Sequence, residues 1–539
     1  MKKFFNWKIA LLLITILAFC LRVYKLDTIP NSLNPDEAAL GYTSYSLLRT
    51  LADEHGKFLP LTLQSFGDWK LPLYSYAGII PVALFGLNEF STRFVSTISG
   101  VIGVLLIYFI SLIVFNKKHI ALISALLFCL SPWSIYFSRG AFEVNLSTTI
   151  FLGGLLAFIK SVNRSKKNEK LLIISLILFG LTLFTQHNYI AFSPLFVLSL
   201  VIIFRKRIEW NGRIFAAIGL FCLLIAISYV ATAMGGSNKI STLLILNDKN
   251  VLYNRVEKLR GDKAPKNQLL ERILHTKYPG AFYQIGQNYI NSFSPIFLFN
   301  KGGENLAHNL GDFGNFYLFD TILLFVGFSG LFWNKEKSLP LLLAWFFIAP
   351  IPSSVTRDAP TSTRLFTIMP LFILIASYGA YQILSFLKKR TIKNYIAKGA
   401  LTLLFFINVL YFLDIYFVHL NTQKVRFWRY GYREAVRLTQ NYPKHSVVMR
   451  APENFPYIYF LFYEKYDPLK FIKEVVYYPS TSEGFYYVKS FGRYRFVESI
   501  DYLSVEENTI YIDDTRLDDK KNSIFLPSGE PILGYYITN

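Results

Sequence analysis

A run of about 20 mainly apolar residues is long enough to cross a bilayer as a helix, and this chain repeats such a run along most of its length. The runs fall near 8–25, 93–115, 119–137, 144–162, 171–190, 190–204, 214–234, 317–333, 339–352, 364–387 and 395–417. They predict an all-α polytopic membrane protein with about eleven transmembrane helices. Of its 539 residues 53% are hydrophobic and 17% charged, well below the usual charged share of a soluble domain. That composition excludes disorder and collagen. Three cysteines, all inside apolar runs and without paired spacing, exclude a disulfide framework and a zinc ribbon.

The net charge of +21 points to membrane topology rather than nucleic acid, because the short inter-span loops hold many of the bases. Met1-Lys2-Lys3 before an apolar stretch resembles a signal peptide. Phe19 is too bulky to precede a lipoprotein cysteine, however, and Leu21-Arg22-Val23-Tyr24 continues the helical pattern, so an uncleaved first helix is expected. Leu71–Leu87 is apolar but contains Pro72 and Pro81. If it spanned, every basic loop from Lys117-Lys118 to Lys388-Lys389-Arg390 would move outside, so it is expected to lie in, or re-enter from, the outer interface. The outer side then carries loops 26–92 and 234–316 and the tail. The expected domains are 1–420, transmembrane, and 421–539, a small extracytoplasmic α/β domain with strand-like runs at His445–Arg450, Glu474–Tyr478, Gly484–Val488 and Thr509–Ile512.

The chemistry-bearing residues gather in the outer loops. Asn34-Pro35-Asp36-Glu37 reads as a helix start with carboxylates in its first turn, where the dipole favours them. Beside a bilayer such acids are also often functional. Asp68-Trp69-Lys70 joins an acid, an aromatic and a base at the mouth of the proline-containing segment, and also suits an interfacial anchor. Arg139 and Glu143, four apart, share a helix face. Ser353 to Arg364 sets Arg357 and Arg364 among hydroxyl side chains, a composition suited to phosphate or to a solvated loop. No glycine-rich nucleotide cradle is visible.

These segments resemble the GT-C class of integral-membrane glycosyltransferases, nearest to glycosyltransferase family 39, the protein O-mannosyltransferase and aminoarabinose transferase type. Pro35-Asp36-Glu37-Ala38, Phe66-Gly67-Asp68-Trp69-Lys70-Leu71-Pro72-Leu73-Tyr74, Ser91-Thr92-Arg93-Phe94, Ser138-Arg139-Gly140-Ala141 with Glu143, and Arg364 ahead of Pro370 carry the likeness. It covers roughly residues 8–420 in organisation and is specific in the first 145. The resemblance implies a general base at Asp36 with Glu37 beside it, and a supporting acid at Glu143, where many relatives have Asp. It implies a donor-phosphate contact at Lys70; Arg139, Arg357 and Arg364 are the further candidates for that phosphate. Some relatives bind a divalent metal ion through an acid of the first loop and a histidine of the middle loop; Asp68 and His308 stand at those positions. The implied donor is a polyprenyl-phosphate-linked sugar. The acceptor is left open between glycolipid, polysaccharide and protein, and the expected site is the outer face of a bacterial cytoplasmic membrane. Such a donor leaves as a phosphate anion and needs one base with cations around it rather than a protonating acid. A lipid-linked-sugar transporter is the rival reading; it would place ionisable groups at mid-bilayer, whereas the acids here gather in outer loops.

Overall fold

The computed structural model describes residues 6–162, 168–234, 244–247, 256, 258–261, 273–389, 391–481, 484–501, 503–514 and 522–538. Each expected apolar run is helical, but the helices differ in length. Six among the described residues are long and apolar enough to cross a membrane: Glu89–Phe115, Glu143–Ser161, Asn188–Arg207, Gly212–Ala233, Ile368–Phe386 and Ile392–Gln423. A seventh candidate is the pair Lys118–Leu130 and Pro132–Ser138, bent by 55°. Apolar helices at Trp7–Val23, Glu169–Thr182, Asp320–Trp333 and Leu339–Ile348 have 17, 14, 14 and 10 residues. Leu73–Phe85, the segment expected not to span, has 13 residues, about 20 Å at 1.5 Å per residue, which is less than the hydrocarbon thickness.

The chain divides into two compact units. One joins Met1–Arg22, Ser99–Phe137 and Glu143–Phe412; the other joins Val23–Ile98, Ser138–Phe142 and Leu413–Asn539. The first holds most of the transmembrane helices. Its bent pair leaves carbonyls without helical partners at the break, and buried side chains take them up. Arg22 donates from Nη1 to the Cys129 carbonyl (3.2 Å), and from Nη2 to the Phe128 carbonyl (3.3 Å) and Ser134 Oγ (2.8 Å). The Tyr317 hydroxyl donates to the Leu130 carbonyl at 2.6 Å. Such replacement partners are what permit a helix break at membrane depth.

The second unit combines the first long loop, within Val23–Ile98, with the tail. Strands β1 (Leu63–Ser65) and β2 (Asp68–Lys70) form a hairpin. Strands β3 (Ser446–Arg450), β4 (Val476–Tyr477), β5 (Val488–Phe491), β6 (Tyr494–Val497), β7 (Thr509–Asp513), β8 (Ser523–Phe525) and β9 (Pro531–Ile537) form one mixed sheet, ordered β4-β5-β6-β3-β7-β9-β8. Strand β3 runs parallel to β6 and β7, and the other pairs are antiparallel. The expected strand at Glu474–Tyr478 is instead the end of a short helix, Pro468–Glu474, followed by the two residues of β4. Gly484–Val488 contributes only its last residue to β5, because the segment leading to it turns at Gly484 (φ 86°). One apolar core unites both parts: Leu33, Ala38, Tyr42 and Phe66 from the loop pack with Tyr457, Phe460, Phe491 and Ile510 from the tail.

Replacing Arg22 by Leu removes the donors from the helix break. The expected cost is about 3 kcal/mol, at the upper end for buried carbonyls left without partners, read as a lower unfolding midpoint in lipid nanodiscs.

Candidate active site

The site is built on the helix Pro35–Thr50. Asn34 caps it: its side chain accepts from the Glu37 N–H at 2.9 Å, and Glu37 Oε2 accepts from the Asn34 N–H at 3.2 Å. This reciprocal cap with Pro35 in the first turn is the local reason the helix begins here. Adjacent positions on a helix point about 100° apart, so the neighbouring acids have opposite fates. Glu37 is buried and the Asp36 side chain is 57% exposed.

Glu37 receives a two-point clasp from Arg93, Nε to Oε1 at 3.1 Å and Nη2 to Oε2 at 3.2 Å, and the Ala141 N–H donates to Oε1 at 2.7 Å. Arg93 also donates to the carbonyls of Leu26 and Pro30, both at 2.9 Å, and of Ser32. Its guanidinium lies over the Trp428 ring. Arg139 is equally buried: it donates to the carbonyls of Lys25 (3.3 Å) and Ile29 (3.0 Å) and stacks on Tyr416 and Phe417. Two arginines thus lock the chain entering the helix, and Arg139 is engaged by carbonyls and rings rather than presented to a phosphate. The sequence showed Arg93 only as part of a family likeness; an arginine in the first turns of an apolar span was the available signal.

Lys70 does meet Asp36. Its Nζ stands 2.9 Å from Asp36 Oδ1 and 4.9 Å from the centroid of the Phe66 ring, and Lys70 itself is buried. The hairpin turn Phe66-Gly67 places it there. Both turn residues have positive φ, 60° and 82°, as a two-residue hairpin of this hand requires. Glycine takes that conformation freely, and a Cβ on Gly67 would lie 2.2 Å from the Gly484 carbonyl oxygen. For Phe66 the conformation costs roughly 1–2 kcal/mol, offset by packing on Phe455 (4.4 Å between centroids) and Tyr457 (5.9 Å). The Asp68 side chain lies outside the described residues.

A polar cluster absent from the sequence reading lies in the same unit. Glu54 is buried and its Oε1 accepts from the Tyr457 hydroxyl at 3.1 Å. His55 Nε2 is 3.6 Å from the same oxygen, and its Nδ1 is 3.2 Å from the Tyr477 hydroxyl. Burial, with the Asp53 charge, lifts the Glu54 carboxyl to about 8 against the opposing pull of Tyr457 and Lys70. Burial and the Lys57 ammonium lower His55 to about 4. At neutral pH the two are therefore both uncharged, and their closeness is not an ion pair.

The remaining candidates belong to the other unit. Glu143 begins the helix Glu143–Ser161 and is partly exposed. Arg364 Nη1 donates to Asp358 Oδ1 at 2.6 Å and Thr356 Oγ1 at 3.0 Å, while Arg357 is exposed. Burial works to raise the Asp358 carboxyl, but the Arg364 guanidinium outweighs it and holds Asp358 below its usual value. His308 lines a small, half-open pocket with Trp133, Tyr136, Asn309 and Phe313. No carboxylate lines that pocket, and among the described residues no group of three or more His, Cys, Asp or Glu could hold a metal ion. The Asp68 side chain, the acid that the family likeness sets with His308, lies outside the described residues.

Folded Glu54 keeps a proton that the unfolded chain releases. Its contribution to stability is therefore fully present below pH 4.5, its ordinary value, and is lost as pH rises through about 8. Glu54→Gln should flatten the fall of stability across this window by up to about 1.4 kcal/mol per pH unit, measured by unfolding at fixed temperature. Glu37→Gln should cost about 3 kcal/mol at pH 7, because it leaves Arg93 buried without its counter-charge; the same measurement checks it.

Comparison with known proteins agrees with this architecture. Residues 70–231 match the family model of dolichyl-phosphate-mannose-protein mannosyltransferases. No curated protein matches the sequence. Among solved structures, Cupriavidus metallidurans ArnT bound to undecaprenyl phosphate aligns over 97% of this chain and 97% of its own, with 9% identity and a TM-score of 0.52. The Archaeoglobus fulgidus oligosaccharyltransferase AglB, in complex with an inhibitory peptide and a dolichol-phosphate, aligns over 85% of this chain at 14% identity and a TM-score of 0.48. The same archaeal enzyme in complex with Zn and sulfate aligns over 83% at 12% identity and a TM-score of 0.49. This chain spans 63% and 61% of those two archaeal chains. A match over residues 70–231 and an architecture shared with ArnT end to end give this multi-pass chain the GT-C glycosyltransferase fold that its first outer loop resembles in sequence.

Proposed function

We propose that the protein is an inverting glycosyltransferase that moves a sugar from a polyprenyl-phosphate donor to an acceptor at the outer face of a cell membrane, in bacteria the cytoplasmic membrane. The observation that carries this reading is the pairing of an exposed Asp36 with a buried Lys70 at 2.9 Å, at the start of a capped helix. Asp36 is the base that removes the proton of an acceptor nucleophile. As the acceptor atom bonds to the anomeric carbon, the bond from that carbon to the phosphate oxygen breaks, and the electron pair leaves with the polyprenyl phosphate. The Lys70 ammonium stabilises that anion, exchanging its carboxylate partner for the phosphate. One displacement inverts the anomeric centre. Buried Glu37 serves by fixing the helix start that presents Asp36, and Arg139 by holding the preceding turn. On the transmembrane unit, Arg364 and Arg357 are the further anion-binding candidates and Glu143 the further acid. Asp68 and His308 are the candidate ligands of a divalent metal ion. Glycolipid, polysaccharide and protein remain the acceptor classes that its chemistry admits.

The test uses purified protein in lipid with labelled polyprenyl-phosphate sugars and a panel of acceptors. Asp36→Asn should lower turnover by roughly 10²–10⁴-fold, the range for loss of a general base, while donor binding stays near native. Lys70→Met should weaken donor binding as well as turnover. A fully active Asp36→Asn protein would remove the assignment. Donor binding by the native chain without turnover on any acceptor class would favour a carrier of lipid-linked sugars.

A further inference from the structure

The hairpin that presents Lys70 is held from outside itself. Its turn uses a bulky residue, Phe66, in a left-handed conformation, and backbone held in such a region points to a surrounding structure that imposes it. The surroundings come from the tail. Gly67 is seated against the Gly484 and Phe485 backbone, and the Tyr486 N–H donates to the Phe66 carbonyl at 3.2 Å. The Phe66 ring is packed by Phe455 and Tyr457. Tyr457 is in turn fixed through its hydroxyl, which donates to Glu54 Oε1, and through its ring, which stacks on Phe471. A continuous set of contacts therefore runs from Glu54 to Tyr457, to Phe66, and to the Lys70 ammonium lying over the Phe66 face. The first two of these links need Tyr457, a residue of the tail.

We propose that Glu54 and Tyr457 are positioning residues: their hydrogen bond holds the Phe66 ring, and the Phe66 ring sets where the Lys70 ammonium stands. The inference rests on the reading of Lys70 as the donor-phosphate contact. It gives the C-terminal sheet domain a role in the transfer reaction without requiring it to touch donor or acceptor. Both residues act at one remove from Lys70, through the Phe66 ring. Their influence passes through the cation–π contact, whose geometry depends on the ring plane. The groups around Glu54 agree with this role. Asp53 is committed to the backbone N–H groups of His55 and Lys57, and His55 is turned to Tyr477. Glu54 thus keeps its Oε1 for the Tyr457 hydroxyl.

The experiment measures binding of a polyprenyl monophosphate, without sugar, to the full chain in nanodiscs. It compares the native protein with Tyr457→Phe, Glu54→Leu, Glu54→Gln and Lys70→Met, and with Tyr457→Phe combined with Lys70→Met. Tyr457→Phe keeps the ring and the core, so a folded variant is expected. Tyr457→Phe and Glu54→Leu should each weaken binding by roughly tenfold, within the range of coupled neighbours. Glu54→Gln, which still accepts from Tyr457, should restore native affinity. In the Lys70→Met background, Tyr457→Phe should have no further effect, which a general loss of stability would not produce. If Tyr457→Phe and Glu54→Leu bind as the native protein does while Lys70→Met does not, the positioning role fails and the phosphate contact stands. If Lys70→Met binds as the native protein does, the reading beneath the proposal fails with it.

Discussion

The buried pair of Glu37 and Arg93 is the constraint around which the rest of the second unit is arranged. Two charges removed from water must each find full hydrogen-bonding partners, or burial costs several kcal/mol per ion. Here Arg93 meets Glu37 and three backbone carbonyls, and Glu37 meets Arg93, the Asn34 N–H and the Ala141 N–H. Satisfying this pair brings together the turn at 26–32, the start of the helix at Pro35, the start of the span at Glu89–Phe115 and the short turn at 138–142. The exposed Asp36 acquires its place as the neighbour of a residue that cannot move.

The basic residues illustrate how one side-chain type is put to different uses. Arg22, Arg93 and Arg139 are all buried, and each donates to backbone carbonyls, Arg22 at the helix break and the other two in the turn at 25–32. Lys70 and Arg364 are instead held by one carboxylate apiece, Asp36 and Asp358. A guanidinium surrounded by carbonyls is fixed, because removing it strands several acceptors at once. An ammonium held by a half-exposed carboxylate can exchange it for another anion at small cost, because water can take up the freed carboxylate.

Much of this was legible from residue order. Every expected apolar run contains helix, the proline-bearing segment Leu73–Phe85 is too short to span, and Asn34 to Glu37 is a capped helix start. Those features depend on local pattern: run length, proline positions and capping chemistry. What the pattern did not carry was partnership over distance. Nothing near Arg139 in sequence announces that the carbonyls of Lys25 and Ile29 will occupy it. Nothing in Ala52-Asp53-Glu54-His55 announces a tyrosine about 400 residues later. The run lengths also said little about where helices break, since the interruption between Leu130 and Pro132 is repaired by groups remote in sequence.

The shared core of the second unit has a consequence for biogenesis. Leu33, Ala38, Tyr42 and Phe66 have no apolar core of their own to enter until Tyr457, Phe460, Phe491 and Ile510 exist. The loop residues precede these partners by about 400 residues of chain. The shared core can therefore close only after the segment through Ile510 has been made, and the helix that carries Asp36 and the hairpin that carries Lys70 gain their packing in that one late step.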